Sequence, residues 1–351
     1  MLSFLYTLSL SFLALSDVIH ARHYATPSAC SGVCGNSHDP SVIRRHSDGK
    51  LFRFSTGNRI SVATASHLSG PWVAMGCALP AGSKINKKGR HDLWAPDVSR
   101  WGDTYYLLYS VSSFGSQDSA IGYATSKDLE SWTDHGSTGI ESSKGKDYNA
   151  IDGHMILTRE THYIAFGSFW SDIFITSLTF SDTGAFKSSS SSAKQIAFTS
   201  VVPQAVEGAS VFMYSGHWYL LFSAGQCCGL DKNRPPSGKE YQIKVCRSRK
   251  PNSGYEDKSG RDCRDGGGTT LLASHGWVYA PGGQGVLQNH TEGPFLYYHY
   301  GETLLLLPTT DHVWIVCAKM DVVDTRIGYA DGQKKFGWNK LIFGKDGWPT
   351  V

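Results

Sequence analysis

Four carboxylates recur at almost one interval. Asp39 lies in HDPS, Asp97 in WAPDVS, Asp152 in NAIDGH and Glu207 in VEGAS, at steps of 58, 55 and 55 residues. Acids brought together in one cleft repel, so their pKa values must separate. One can then stay protonated while another stays ionised at the same pH, the pairing that glycoside hydrolysis uses. Trp94, Phe114, Trp170 and Trp218 lie near the same stretches and offer flat faces for sugar rings. Basic residues do not cluster there, which disfavours a phosphate-bearing substrate. Each residue also has a structural reading. A buried Asp caps turn amides, and an aromatic inside an alternating strand packs in a core, the reading that suits Trp218. Glu207 is the poorest turn former of the four.

Such an interval needs a repeating unit to carry it. A short aromatic strand recurs as LFRFST (51–56), TYYLLYSVS (104–112), THYIAFGSF (161–169), HWYLLFSAG (217–225) and FLYYHY (295–300). Phe54, Tyr109, Phe166, Phe222 and Tyr298 mark it at steps of 55, 57, 56 and 76 residues. An alternating strand beginning with Ile follows each, at ISVATA (60–65), IGYATS (121–126), IFITSL (173–178), IKVCRS (243–248) and IGYADG (327–332). A turn and a Trp come next at LSGPW (68–72), LESW (129–132) and FGW (336–338). Alternation, in place of apolar residues three and four apart, excludes a helical repeat. Several strands per repeat fit propeller blades. Five copies predict an all-β fold, a five-bladed β-propeller forming one domain over residues 22–351. Two unrelated β-domains are the competing reading. If each acid opens the innermost strand of its blade, four carboxylates meet at one end of the central channel.

Composition and the chain's start narrow the class further. Charged residues are 18% of the chain, with 33 basic against 30 acidic, a net +3 too small and scattered for nucleic acid. The 12% aromatic content excludes a disordered chain. Residues 2–15 are apolar or Ser, too short for a membrane span. They read as a secretory signal covering residues 1–21, with a cut after Ala21 and a rival cut after Ser16. No second apolar run is long enough to span a bilayer, so the expected product is extracellular with no membrane partner. Outside the cell, the eight cysteines at 30, 34, 77, 227, 228, 246, 263 and 317 permit disulfides. Eight allow 105 pairings, so the sequence assigns none. Asn289-His290-Thr291 is the glycosylation sequon, making Asn289 a candidate acceptor.

The phrases HDPSVIRR, RFSTGNRISVATA, DLWAPDVS, YNAIDGH, FGSFW, VEGAS, CCGLD, YAPGGQGV and LYYHY resemble fungal endo-1,5-α-L-arabinanases of glycoside hydrolase family 43. The likeness runs in order from about residue 30 to the end of the chain. It implies a five-bladed β-propeller that cleaves α-1,5 bonds of arabinan with inversion, as a monomer, without a cofactor for the chemistry. By matching motifs, Asp39 resembles the general base and Glu207 the general acid. Asp152 resembles the third acid, which orients the general acid and raises its pKa. Asp97, Trp94, Phe114, Asn149 and Trp170 fall in stretches resembling substrate subsites. His299 resembles a histidine beside an axial ion, calcium or sodium, or a water cluster. Inversion implies Asp39 and Glu207 carboxyls about 6.5–9.5 Å apart. The rivals are an exo-acting arabinofuranosidase or β-xylosidase on the same fold, and a sugar-binding propeller without catalysis. The blade acids differ from one another, which argues against a lectin with equal sites.

One stretch departs from the pattern that the resemblance implies. Gly301–Val322 intervenes between YYHY and VDTRIGYADGQ, stretching the step from Ile243 to Ile327 to 84 residues. It is an extra hairpin on blade five or a translated retained intron, and the second reading is favoured. Sequencing the transcript is expected to find a spliced message lacking these codons. Its absence would return the segment to the protein.

Overall fold

The computed structural model describes residues 24–181, 184–188, 190–289, 291–303 and 328–351. The leader and residues 304–322 of the intervening stretch lie outside them. Five sheets form the five blades of a β-propeller. Blade one holds β1 (Ser41–Arg44), β2 (Leu51–Ser55), β3 (Ser61–Ala65) and β4 (Val73–Cys77). Blade two holds β5 (Trp94–Trp101), β6 (Thr104–Val111), β7 (Ser119–Ser126) and β8 (Thr133–Ser142). Blade three holds β9 (His154–Ile156), β10 (His162–Phe166), β11 (Ile173–Phe180), β12 (Phe186–Ser188) and β13 (Lys194–Ala197), with β12 and β13 sharing the outer edge of β11. Blade four holds β14 (Val206–Tyr214), β15 (His217–Ala224), β16 (Gln242–Ser248) and β17 (Thr269–Leu272). Blade five holds β18 (Val278–Leu287), β19 (Phe295–Glu302) and β20 (Lys335–Lys340). A last hairpin, β21 (Ile342–Phe343) with β22 (Pro349–Thr350), follows. Pairing is antiparallel and sequential in blades one, two, four and five.

The aromatic phrase is the second strand of every blade, and its alternation explains the ring. Phe52 and Phe54 of β2 pack toward blade two, while Leu51 packs toward blade five. On β6, Leu107 and Tyr109 face blade one, and Tyr106 and Leu108 face blade three. On β15, Leu220 and Phe222 face blade three, and Tyr219 and Leu221 face blade five. On β19, Leu296 and Tyr298 face blade four, and Phe295 and Tyr297 face blade one. A strand buried on both faces has no solvent side, so it reads as nearly continuous apolar sequence. Each of the five blade interfaces therefore has its own core cluster.

Residues 26–37 close the ring by running along β20. Ser28 N donates to Trp338 O at 2.9 Å, Phe336 N to Cys34 O at 2.8 Å, and Asn339 Nδ2 to Thr26 O at 2.8 Å. The fifth blade corrects one expectation. Residues 328–330 are turn and Asp331–Gln333 is a short 3-10 helix, so IGYADG is not the alternating strand there. The partner of β19 is KFGWNK, and its FGW lies inside β20 rather than in a turn. Both segments alternate, and cross-strand pairing decided between them.

Three cysteine pairs are bonded: Cys30–Cys34, Cys227–Cys228 and Cys246–Cys263. Cys77 pairs with none of the described residues, and Cys317 lies outside them. Phe54 is fully buried, and its truncation to Ala should cost about 3–5 kcal/mol in denaturant unfolding. Phe114 is 84% exposed, and Phe114→Ala should stay within about 0.5 kcal/mol of the parent.

Candidate active site

The acids lie just before or within the first four residues of the inner strands. Asp39 leads into β1, Asp97 lies in β5, Asp152 leads into β9 and Glu207 opens β14. Asp39 and Asp152 hold left-handed backbone, φ 42° and 58°, which Asp tolerates better than most residues. Bulges between Trp94 and Asp97 and between Glu207 and Ser210 turn those side chains out of the ladder. All four line a cleft of about 1210 Å³, together with Trp94, Phe114, Asn149 and Trp170. Phe114 and Trp170 are exposed on its walls. Asn149 is buried, its Oδ1 accepting from Ser119 Oγ at 2.7 Å.

The carboxyls differ in their surroundings. Asp39 Oδ2 accepts from Thr56 Oγ1 at 2.8 Å, and Thr56 Oγ1 accepts from Ala95 N at 2.8 Å. Burial works against an ionised Asp39, but the neighbouring His38 and the Thr56 hydroxyl outweigh it and hold the carboxyl well below its usual range. Glu207 Oε2 accepts from Ser168 Oγ at 2.5 Å and Oε1 from Tyr241 OH at 2.8 Å. Burial raises its pKa against those two bonds, and the charge of Asp39 adds to the rise. Asp152 is pushed well above its ordinary value, by burial and then by Glu207 and Asp39, although Oδ2 accepts from Gly208 N at 3.2 Å. The arrangement holds one ionised carboxylate beside two carboxyls biased toward protonation.

Asp97 lines the cleft, yet both of its oxygens are engaged. Oδ1 meets His154 Nδ1 at 2.9 Å, and Oδ2 accepts from Met155 N at 3.0 Å. His154 Nε2 reaches Val211 O at 3.1 Å. Both ring nitrogens face acceptors, and against its burial Asp97 raises the pKa of the imidazole. The chain Asp97–His154–Val211 thus ties the inner strands of blades two, three and four.

His299 is fully buried beneath Asp39 rather than in the cleft wall. Its Nδ1 accepts from Asp39 N at 3.0 Å, and burial lowers its pKa to about 3, so the ring is neutral. Its Nε2 is buried without a partner among the described residues. His38, Asp39 and His299 bring one ligand atom each within 4.8 Å of one another. Two imidazoles and one carboxylate do not fit direct ligation of calcium or sodium, since hard cations take six to eight oxygens. Asn289 lies far along β18's exit, in a turn where its Oδ1 accepts from Thr291 N at 2.9 Å.

Sequence reasoning missed several residues of this centre. Ser168, just past β10, and Tyr241, just before β16, hold Glu207, and neither residue type marks itself as a partner of the acid. Gly282 and Gly283 of YAPGGQGV, inside β18, were missed as well. A Cβ on Gly283 would lie 2.5 Å from Asp39 Oδ1, and one on Gly282 would lie 2.0 Å from the Tyr241 ring. Asp172 was also missed. It is fully buried, its Oδ2 accepts from Thr199 N at 2.7 Å, and its Oδ1 has no partner among the described residues. Burial pushes its pKa to about 7, with the Thr199 bond opposing and Glu207 adding to the rise.

The family described as "Glycosyl hydrolases family 43" matches residues 33–349. The chain belongs to glycosyl hydrolase family 43. Within it, the chain is 52% identical over 339 residues to "Probable arabinan endo-1,5-alpha-L-arabinosidase A" of Neosartorya fischeri, covering 96% of each. It is 50% identical over 333 residues to "Arabinan endo-1,5-alpha-L-arabinosidase A" of Aspergillus aculeatus, covering 94% of this chain and 95% of that one. Its structure is similar to the family 43 endo-arabinanase of Bacillus licheniformis, with a TM-score of 0.74 at 29% identity over 92% of this chain and 99% of that one.

Asp172 yields a stability prediction for this family 43 chain. A folded pKa raised to about 7 from 3.8 means the native state binds more protons than the unfolded chain between those values. Its contribution is therefore complete below about pH 4 and is lost as pH rises toward 7. Asp172→Asn should remove that loss, on the order of 4 kcal/mol, so its melting temperature should fall less than the parent's across this window. Equal pH slopes in the two proteins would refute the assignment.

Proposed function

We propose that this chain is a secreted endo-acting hydrolase that cleaves α-1,5-L-arabinofuranosidic bonds of arabinan with inversion of configuration. The carrying observation is the split between a depressed Asp39 and raised Asp152 and Glu207 in one cleft. The names of its family 43 relatives supply the substrate class. In this reading, Asp39 is the general base. Its carboxylate takes a proton from water as the water oxygen attacks the anomeric carbon. Glu207 is the general acid and gives its proton to the leaving glycosidic oxygen. Asp152 orients the acid: its Oδ2 accepts from Gly208 N, which fixes the backbone just after Glu207. The chemistry needs no cofactor.

Phe114, Trp170 and Trp94 are read as platforms for arabinose rings, and Asn149 as a polar wall. Asp97 is read as acting through His154. Three disulfides suit an oxidising compartment, and we assign residues 1–21 to a secretory leader. The enzyme works as a monomer, with Asn289 as glycan acceptor. The orphaned His299 Nε2 is the atom that a water on the axis would meet.

Incubation with linear arabinan should release mixed short oligosaccharides; arabinose alone would overturn endo action. The first product seen by proton NMR should be the β anomer. Asp39→Ala and Glu207→Ala should each lower kcat by about 10²–10⁴-fold while the melting temperature holds. The rate should fall on the acid side only at low pH, because Asp39 must be ionised. Its alkaline limb should lie above the ordinary 4.5 of a Glu, because Glu207 must be protonated.

A further inference from the structure

Beyond Glu207, the cleft wall continues outward to the third strand of blade four. Gln242 and Lys244 on β16 line it there, together with Gly266, Gly267 and Lys239. Lys244 lies opposite Phe222 and Thr270. Its stem passes Gly268, where a Cβ would lie 3.2 Å from Lys244 Cδ and 2.7 Å from Phe222 Cζ. Glycine at this position leaves the channel that the stem occupies.

The head of this lysine is unused. Among the described residues, its ammonium makes no hydrogen bond and has no carboxylate within 4.0 Å. Several exposed lysines also lack a partner, but Lys244 is half-buried in the cleft wall, whereas the fully buried Lys334 donates to Cys227 O at 2.9 Å. The nearest acid in charge, Asp257, is spent elsewhere. Its Oδ1 accepts from Ser259 N and Arg261 N, and its Oδ2 from Gly268 N. Partial burial lowers the pKa of Lys244, the charge of Asp257 opposes the fall, and Lys239 and Arg261, of the same sign, add to it. A half-desolvated cation without a partner is costly, and an anion entering the cleft would satisfy it. Neutral pentoses cannot.

We propose that this outer wall is an anion subsite, built on Lys244 with Lys239, that takes the carboxylate of a uronate residue carried on the same glycan. It rests on reading the cleft as a glycan groove, and deepens that reading by adding an acidic sugar to the neutral substrate class.

The test is calorimetric titration of the intact protein with trigalacturonate and with neutral arabinotriose, at low and high salt. Trigalacturonate should bind, about tenfold more weakly to Lys244→Met, and its binding should weaken with salt while that of arabinotriose does not. Lys244→Arg keeps the charge and should keep the affinity, which separates lost charge from lost packing. Melting temperatures check that each variant folds. Equal binding to the parent and Lys244→Met, or no trigalacturonate binding by the parent, would overturn the subsite. So would equal competition by inorganic phosphate. Hydrolysis of linear arabinan by the parent is measured separately. Its failure would sink the glycosidase reading without bearing on the titration.

Discussion

The acidic centre exists only because the ring closes. Each inner strand supplies at most one acid, and no single sheet brings two of them together. What converges them is the packing of each blade's second strand against both neighbours, repeated five times. The last interface is not made by consecutive chain. Blade five meets blade one through Leu287, Phe295, Tyr297 and Phe336 against Val42, Leu51 and Trp72, and residues 26–37 bind along β20. Contacts so distant in sequence cost loop-closure entropy, so a buried apolar seam has to hold them.

Convergence creates an electrostatic problem that neighbouring groups resolve unequally. Burial alone would raise all three of Asp39, Asp152 and Glu207. Asp39 escapes because His38 and the Thr56 hydroxyl flank it, whereas Glu207 receives two hydroxyls and Asp152 one backbone amide. The same burial that makes the site costly therefore differentiates its members. Gly282 and Gly283 allow Tyr241 and the Asp39–His299 pair to approach so closely; any side chain there would collide with them.

The repeat was readable because each second strand is buried on both faces, so the aromatic phrase keeps its composition wherever it falls. The acids were readable because they sit at one phase of that repeat. Partners distant in sequence were not. Tyr241 and Ser168 reach Glu207 from 34 and 39 residues away, and His299 reaches Asp39 across 260. Nothing in their local sequence marks them. Asp97 shows the limit from the other side: its phase matched the other acids, yet His154 and Met155 take both of its oxygens. In blade five, IGYADG and KFGWNK alternate equally well, and alternation carries no information about which one meets β19.

The seam between blades five and one also carries buried positive charge. Arg53 is almost wholly buried between the rings of Trp72 and Phe336, each 4.8 Å from its guanidinium carbon. Burial lowers its pKa to about 10, still far above neutrality, so it remains charged. Lys334 is fully buried and donates to Cys227 O; burial lowers its pKa to about 8, while Asp331 and Asp39 oppose the fall. Lys334 also offers its backbone carbonyl to Ser37 N, two residues before Asp39. One residue thus joins the closing strand, the Cys227–Cys228 loop and the segment leading into Asp39. Removing the seam would leave two buried cations without their setting as well as opening an apolar interface. Ring closure and charge balance at the mouth are therefore one constraint, met at the same residues.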